Sequence, residues 1–200
     1  MNPRLVIATT NLDKTREIKA LLAGIPYDVV SLDLWPYLVP PQETGRTFAQ
    51  NARDKARYYA RATGTLAVAE DSGLEIAALD GAPGVESARF GGSGLPYEDK
   101  FVRIYDRLGA KGISNSAARF VCALALVKDD KVLYETEGTI DGFIAPAPRG
   151  ARGFGYDPIF FYPPYGRTLA EVTDEEKAAV SHRSQAFRAL RRFLESGRSL

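Results

Sequence analysis

Two hundred residues suffice for one substantial domain, and 45% hydrophobic with 26% charged residues is the balance of a folded soluble protein. A net charge of +1 excludes an acidic tail and a general nucleic-acid-binding surface, although a small anionic ligand needs only a few local cations. No segment could span a membrane, and the N-terminal run Leu5-Val6-Ile7 is too short for a signal peptide. The single cysteine offers no disulfide framework, so a cytoplasmic setting is expected.

Arg4 to Thr9 reads as a buried opening strand, and Asp13 to Leu22 as a helix. Its apolar positions Ile18, Leu21, Leu22 and Ile25 recur at helical spacing, and Gly24 marks the stop. Asn11 or Asp13 can serve as N-cap. The strand, polar turn and helix together set free backbone N–H groups and a positive dipole end beside Lys14, an arrangement suited to an anion. The turn lacks the glycines of a Walker A loop. Tyr27 to Leu32 is a second expected strand. A proline-punctuated connection leads through Glu43-Thr44-Gly45 into a helix from about Thr47 to Ala62, with Phe48, Ala52, Ala56, Tyr59 and Ala60 on one face. The opposite face carries Arg53, Lys55, Arg57 and Arg61, most of them expected in solvent.

Thr65 to Ala69 is a short apolar run ending at Glu70-Asp71-Ser72-Gly73-Leu74. Two adjacent carboxylates at the end of a buried strand are either solvated acids before a turn or a functional pair, because charge near an apolar interior must be paired, hydrogen-bonded or metal-bound. Side-chain alternation lets only one of them face a given side. A glycine- and proline-rich loop follows, then a helix over Tyr97–Leu108. The runs Ala117–Lys128 and Lys131–Ile140, joined at Asp129-Asp130, read as an antiparallel hairpin. Cys122 lies in the first of these runs and is expected to be a buried, inert thiol.

In Gly153-Phe154-Gly155-Tyr156-Asp157, an aromatic between glycines and then a carboxylate fits either a planar ligand or a tight turn with a core aromatic. Thr173-Asp174-Glu175-Glu176 is a capping box opening a short helix with Lys177. Ser181-His182-Arg183 starts the last helix, whose Phe187, Leu190, Phe193 and Leu194 pack inward. His182 is the only histidine, so a histidine-rich metal site is excluded.

Ala8-Thr9-Thr10-Asn11 with Lys14 and Glu17, Glu43-Thr44-Gly45, Glu70-Asp71-Ser72-Gly73-Leu74, Gly81-Ala82-Pro83-Gly84, Gly153-Phe154-Gly155-Tyr156-Asp157-Pro158 and Glu176-Lys177 with Ser181-His182-Arg183 occur in one order. That ordered set resembles the inosine/xanthosine triphosphate pyrophosphatase (ITPase-like) family over essentially the whole chain. The resemblance implies a single α/β domain over residues 1–200, with a long mixed β-sheet flanked by helices forming two lobes around a central substrate cleft. It implies a Mg²⁺-dependent homodimer that cleaves ITP, dITP and XTP to the nucleoside monophosphate and pyrophosphate, with neither nucleic acid nor membrane as partner.

By the same resemblance, Thr9, Thr10, Asn11 and Lys14 hold the triphosphate, Asp71 is general base and metal ligand, and Glu43 is a second metal carboxylate. Ser72 touches the phosphates and Phe154 stacks on the base. Gly155, Tyr156, Asp157, Lys177, His182 and Arg183 complete the contacts. Arg183 can only donate, which suits O6 of a 6-oxopurine and disfavours adenine. Thr10 and Asp13 stand where glycine is usual, and Glu70 where Asp is common. Hydrolysis at the α-phosphorus needs a positioned water, a base and charge neutralisation on the departing pyrophosphate, all of which these residues can supply without a covalent intermediate. A pyrophosphatase with another target, such as a modified pyrimidine triphosphate, and a nucleotide-binding sensor without turnover fit the same pocket residues.

Overall fold

In the computed structural model, residues 2–196 are described. The strands are β1 (Arg4–Ile7), β2 (Asp28–Ser31), β3 (Leu66–Ile76), β4 (Ala117–Lys128), β5 (Lys131–Ile144), β6 (Phe160–Tyr162) and β7 (Arg167–Thr168). The α-helices are α1 (Leu12–Leu21), α2 (Phe48–Thr63), α3 (Tyr97–Ala110), α4 (Asp174–Val180) and α5 (His182–Glu195). The strands form one sheet in the order β2-β1-β3-β4-β5-β6-β7. It is mixed: β1 pairs in parallel with both β2 and β3, whereas β6 pairs antiparallel with β5 and β7. This is the expected class, an α/β fold on a mixed sheet flanked by helices.

By its internal contacts the chain divides into two compact units, and β3, β4 and β5 each contribute residues to both. The first unit comprises 2–71, 122–138 and 182–196 among the described residues. Its core joins Leu5 and Ile7 of β1, Ile18 and Leu22 of α1, Leu66 and Val68 of β3, Cys122, Leu124 and Leu126 of β4, and Phe187, Leu190 and Leu194 of α5. Phe193 is only partly buried against it. Asn11 caps α1, its side chain accepting from Lys14 N, so Asp13 lies within the first turn. Neither Thr10 nor Asp13 needs the left-handed backbone that glycine would permit. Among described residues other than glycine, only Asp80, Asp129 and Asp130 have positive φ.

In α2, Thr47 caps the N-terminus and Gly64 closes the C-terminus at φ +64°. The expected face of Phe48, Ala52, Ala56, Tyr59 and Ala60 is buried, and Asn51 is buried with it. The β4–β5 hairpin turns at Asp129 and Asp130, both at positive φ as a type I′ turn requires.

The second unit comprises Ser72–Val121 and Thr139–Ser181. Leu74, Ile76, Phe101, Ile104, Leu108, Phe120, Ile144, Tyr156, Ile159 and Phe160 form its core. Thr173 and Glu176 make both halves of the capping box that opens α4.

One expectation about secondary structure is overturned. The strand does not end at Glu70-Asp71 but continues through Ser72-Gly73 to Ile76, so the acidic pair lies inside an eleven-residue strand. Gly73 marks a close approach rather than a turn: a Cβ there would lie 2.3 Å from Ser87 Oγ and 2.6 Å from the Gly84 carbonyl oxygen.

Candidate active site

In the first unit, alternation along β3 sends Glu70 and Asp71 into two different environments. Glu70 is 2% exposed. Lys14 Nζ lies 2.7 Å from its Oε1 and Arg183 3.6 Å, while Cys122 Sγ contacts Oε2 at 3.5 Å. Burial works to raise the Glu70 pKa, but Lys14 and Arg183 outweigh it and hold the carboxyl well below the usual range. Arg183 also donates to Glu17 at 2.8 Å, and Glu70 and Glu17 raise its own pKa against the effect of burial.

The function of Glu70 follows from these contacts. It is the shared counter-ion of Lys14 and Arg183, fixing the α1 lysine and the α5 arginine to the central strand. The expectation for Arg183 changes accordingly. Its side chain is 2% exposed and faces two carboxylates, so beside any contact with a base it anchors the ion-pair network. His182, beside it at the start of α5, is buried as well. Thr9 Oγ1 accepts from Asn11 N at 3.2 Å, and Thr10 and Asn11 are exposed, so the turn before Lys14 presents polar groups to solvent.

Asp71 has different company. Asn51 Nδ2 donates to its Oδ2 at 2.9 Å, and Asn51 Oδ1 accepts from Gly45 N at 2.7 Å. One buried amide therefore ties the Glu43-Thr44-Gly45 segment to the Asp71 carboxylate. Burial pushes Asp71 up to about 6, Lys55 and the Asn51 hydrogen bond oppose the shift, and Glu43 adds to it. Lys55 forms a hydrogen-bonded ion pair with Glu43. Burial disfavours the charge on Lys55, yet Glu43, Asp71 and Glu70 together raise its pKa.

Sequence reasoning missed both Asn51 and Lys55, reading Lys55 among the cations of an α2 face left mostly to solvent. The available signal was position: Asn51 falls on the apolar stripe of α2, three residues after Phe48 and one before Ala52, where a polar side chain demands a partner. Asn51→Ala is expected to lower unfolding free energy by about 2–4 kcal/mol, because Gly45 N–H and Asp71 each lose a buried partner. Urea denaturation at neutral pH checks this.

Asp71 and Glu43 are hard oxygen donors, and among the described residues no group of three or more His, Cys, Asp or Glu side chains could hold a metal ion. This donor set does not make an all-protein cage. It fits a Mg²⁺ ion that arrives with phosphate oxygens and keeps water in its shell.

In the second unit, Gly153 and Gly155 both take positive φ, and Phe154 stands between them. Phe154 N donates to Asp157 Oδ2 at 2.9 Å, and Lys177 Nζ lies 2.7 Å from the same oxygen and 4.5 Å from the Phe154 ring centroid. A Cβ on Gly153 would fall 2.1 Å from Asp157 Oδ2, so the carboxylate requires glycine there. Phe154, Asp157 and Lys177 are thus brought together as expected, although Asp157 and Lys177 are buried on each other. Ser72, also in this unit, is half-buried on β3.

Tyr156 departs from its expected part. Its ring is in the core, edge-on to Tyr97 at 5.1 Å, and its hydroxyl donates to the Ser87 carbonyl at 2.9 Å. Desolvation raises the phenol pKa. The Tyr156 side chain is consequently a structural anchor in the core of the second unit.

Known proteins resemble this chain along nearly its whole length. The dITP/XTP pyrophosphatase of an Exiguobacterium species is 45% identical over 187 residues, covering 94% of each chain. The dITP/XTP pyrophosphatase of Geobacter sulfurreducens is 43% identical over 188 residues, again covering 94% of each. The solved structure of a HAM1 protein from Coxiella burnetii superposes with a TM-score of 0.91 at 38% identity, covering 98% of this chain and 100% of that one. The Ham1 family model matches residues 5–193, and the chain belongs to that family.

Proposed function

We propose that this protein is a nucleoside-triphosphate pyrophosphatase that hydrolyses ITP, dITP and XTP to the monophosphate and pyrophosphate, acting as a cytoplasmic, Mg²⁺-dependent homodimer. The observation that carries the reading is the close match, end to end, to relatives named dITP/XTP pyrophosphatase. The residues give it chemical sense. Asp71, buried and held in one orientation by Asn51, is suited to orient a water and take its proton. Lys14, Asn11, Thr9 and Thr10 carry positive charge and donors toward an anion. Ser72 supplies a further hydroxyl to the phosphates, and Phe154 offers a ring face for a base, backed by Lys177.

Glu43 and Asp71 would hold Mg²⁺, which when bound neutralises phosphate charge as pyrophosphate departs. His182 and Arg183 of the first unit, Arg183 through the network that also fixes Lys14, and Gly155 and Asp157 of the second would make the remaining substrate contacts. Among the described residues no helix is long and apolar enough to cross a membrane.

The test is product identity. With Mg²⁺ and ITP, mass spectrometry should find IMP and pyrophosphate, little turnover of ATP, and none once EDTA is in excess. IDP with orthophosphate would overturn the assignment of the attacked phosphorus. Tight ITP binding without product would favour the nucleotide sensor.

A further inference from the structure

Ser87 and Lys100 are buried polar side chains of the second unit that the proposed mechanism does not use. Their contacts form one chain of bonds. Ser87 Oγ accepts from Leu74 N of β3 at 2.9 Å and donates to the Gly84 carbonyl at 2.6 Å. The Ser87 carbonyl accepts from the Tyr156 hydroxyl at 2.9 Å, and the next carbonyl, Ala88, accepts from Lys100 Nζ at 2.6 Å. Lys100 Nζ also sits 4.3 Å from the Tyr97 ring centroid, and that same ring packs edge-on against Tyr156. A Cβ on Gly155 would be 3.7 Å from it. Two consecutive backbone carbonyls are therefore clamped by donors from two buried residues that both contact Tyr97.

The clamped loop has β3 at one end and the Phe154 turn at the other. Gly73 is pressed against Ser87 Oγ so closely that no side chain fits between them. Leu74 is two residues from Ser72, and Tyr156 is two residues from Phe154. A dedicated hydrogen-bonded bridge between two segments of one unit, built from buried side chains, restricts the distance between them.

We infer that Ser87, gripped by Tyr156, is a positioning residue that holds the Ser72 segment of β3 and the Phe154 turn at one separation, so that phosphates and base of a single nucleotide are engaged together. This rests on the proposed function in assigning phosphate contact to Ser72 and base stacking to Phe154. The bridge itself stands on the contacts alone. A ligand touching both ends should depend on the bridge. A ligand touching the phosphate end alone should not.

Tyr156→Phe deletes only the hydroxyl and keeps the ring packing. The expected result is a KM for ITP raised about five- to tenfold, kcat changed less than threefold, and the inhibition constant of pyrophosphate changed less than twofold. Ser87→Ala should repeat the pattern more strongly. A purely structural part would instead lower thermal stability and the active fraction, leaving KM in place, and that result would overturn the inference. So would a parallel loss of ITP and pyrophosphate affinity, or no change in either. Should the parent fail to cleave ITP, the proposed function falls by itself, and amide hydrogen exchange then decides the bridge. Leu74 and Phe154 amides should both exchange at least tenfold faster in Tyr156→Phe. Unchanged exchange at Leu74 would overturn the coupling.

Discussion

Glu70→Gln is expected to destabilise the protein by about 3–5 kcal/mol, a fall of roughly 6–20 °C in Tm for a chain of this size. The substitution keeps the shape of the side chain and removes only its charge. Lys14 and Arg183 then face each other across a buried amide, and Arg183, itself 2% exposed, cannot lose its proton to escape. Glu17 offsets part of the charge on Arg183, which places the loss within the range for broken buried pairs rather than above it.

The pH dependence of that loss has a definite sign. The Glu70 carboxyl is held below its ordinary range in the folded state, so its contribution to stability is fully present above the unfolded pKa of about 4.3 and disappears as pH falls toward the folded value. Parent and variant should therefore differ most at pH 6–8 and converge in acid. Urea titrations at pH 7.5 and pH 3.5 measure both arms, and an equal gap at the two pH values would mean that the pairing is not what Glu70 contributes.

The parts of the molecule that could be read from sequence are those whose cause is local. The Thr173–Glu176 capping box, the two-residue turn at Asp129-Asp130, the Asn11 cap and the apolar stripe of α2 each depend on residues within one or two helical turns or a hairpin. The continuation of β3 was hidden because Ser72-Gly73 is the composition of a turn, and only the approach of Ser87, from thirteen residues beyond Leu74, shows why glycine is needed.

The same limit explains the reassignments at the site. Arg183 meets Glu17 across 166 residues and Asn51 meets Asp71 across 20, and no spacing rule reaches contacts of that kind. Tyr156 was legible as an aromatic beside glycine, but its place in the core depends on Tyr97 and Phe101 of α3, more than fifty residues earlier. The ordered motifs named a set of positions, and how those positions pair with one another was left to tertiary packing.

That division of labour is sharpest at Asp71, where function and stability should oppose each other. Asp71→Asn is expected to lower kcat for ITP by about 10²–10⁴-fold, the range for loss of a general base. It is also expected to raise the unfolding free energy of the metal-free protein by about 2–3 kcal/mol at pH 7.5. The gain follows from linkage. Burial lifts the folded-state pKa to about 6, whereas the unfolded chain titrates near its ordinary value of about 3.9. Between those values the unfolded chain has released a proton that the folded chain still binds, so stability falls as pH rises through the window and stays lower above it.

Asparagine has no proton to release and removes the penalty, and its side-chain oxygen can still accept from Asn51 Nδ2. The advantage of the variant should therefore be largest above pH 6 and absent near pH 4. Thermal unfolding in EDTA at both pH values measures it, beside steady-state turnover with Mg²⁺. A variant that is both inactive and less stable at pH 7.5 would show that Lys55 needs the Asp71 charge more than burial penalises it. A carboxylate kept on an internal strand at a cost to folding, with Lys55 offsetting only part of that cost, is what a site maintained for chemistry should look like.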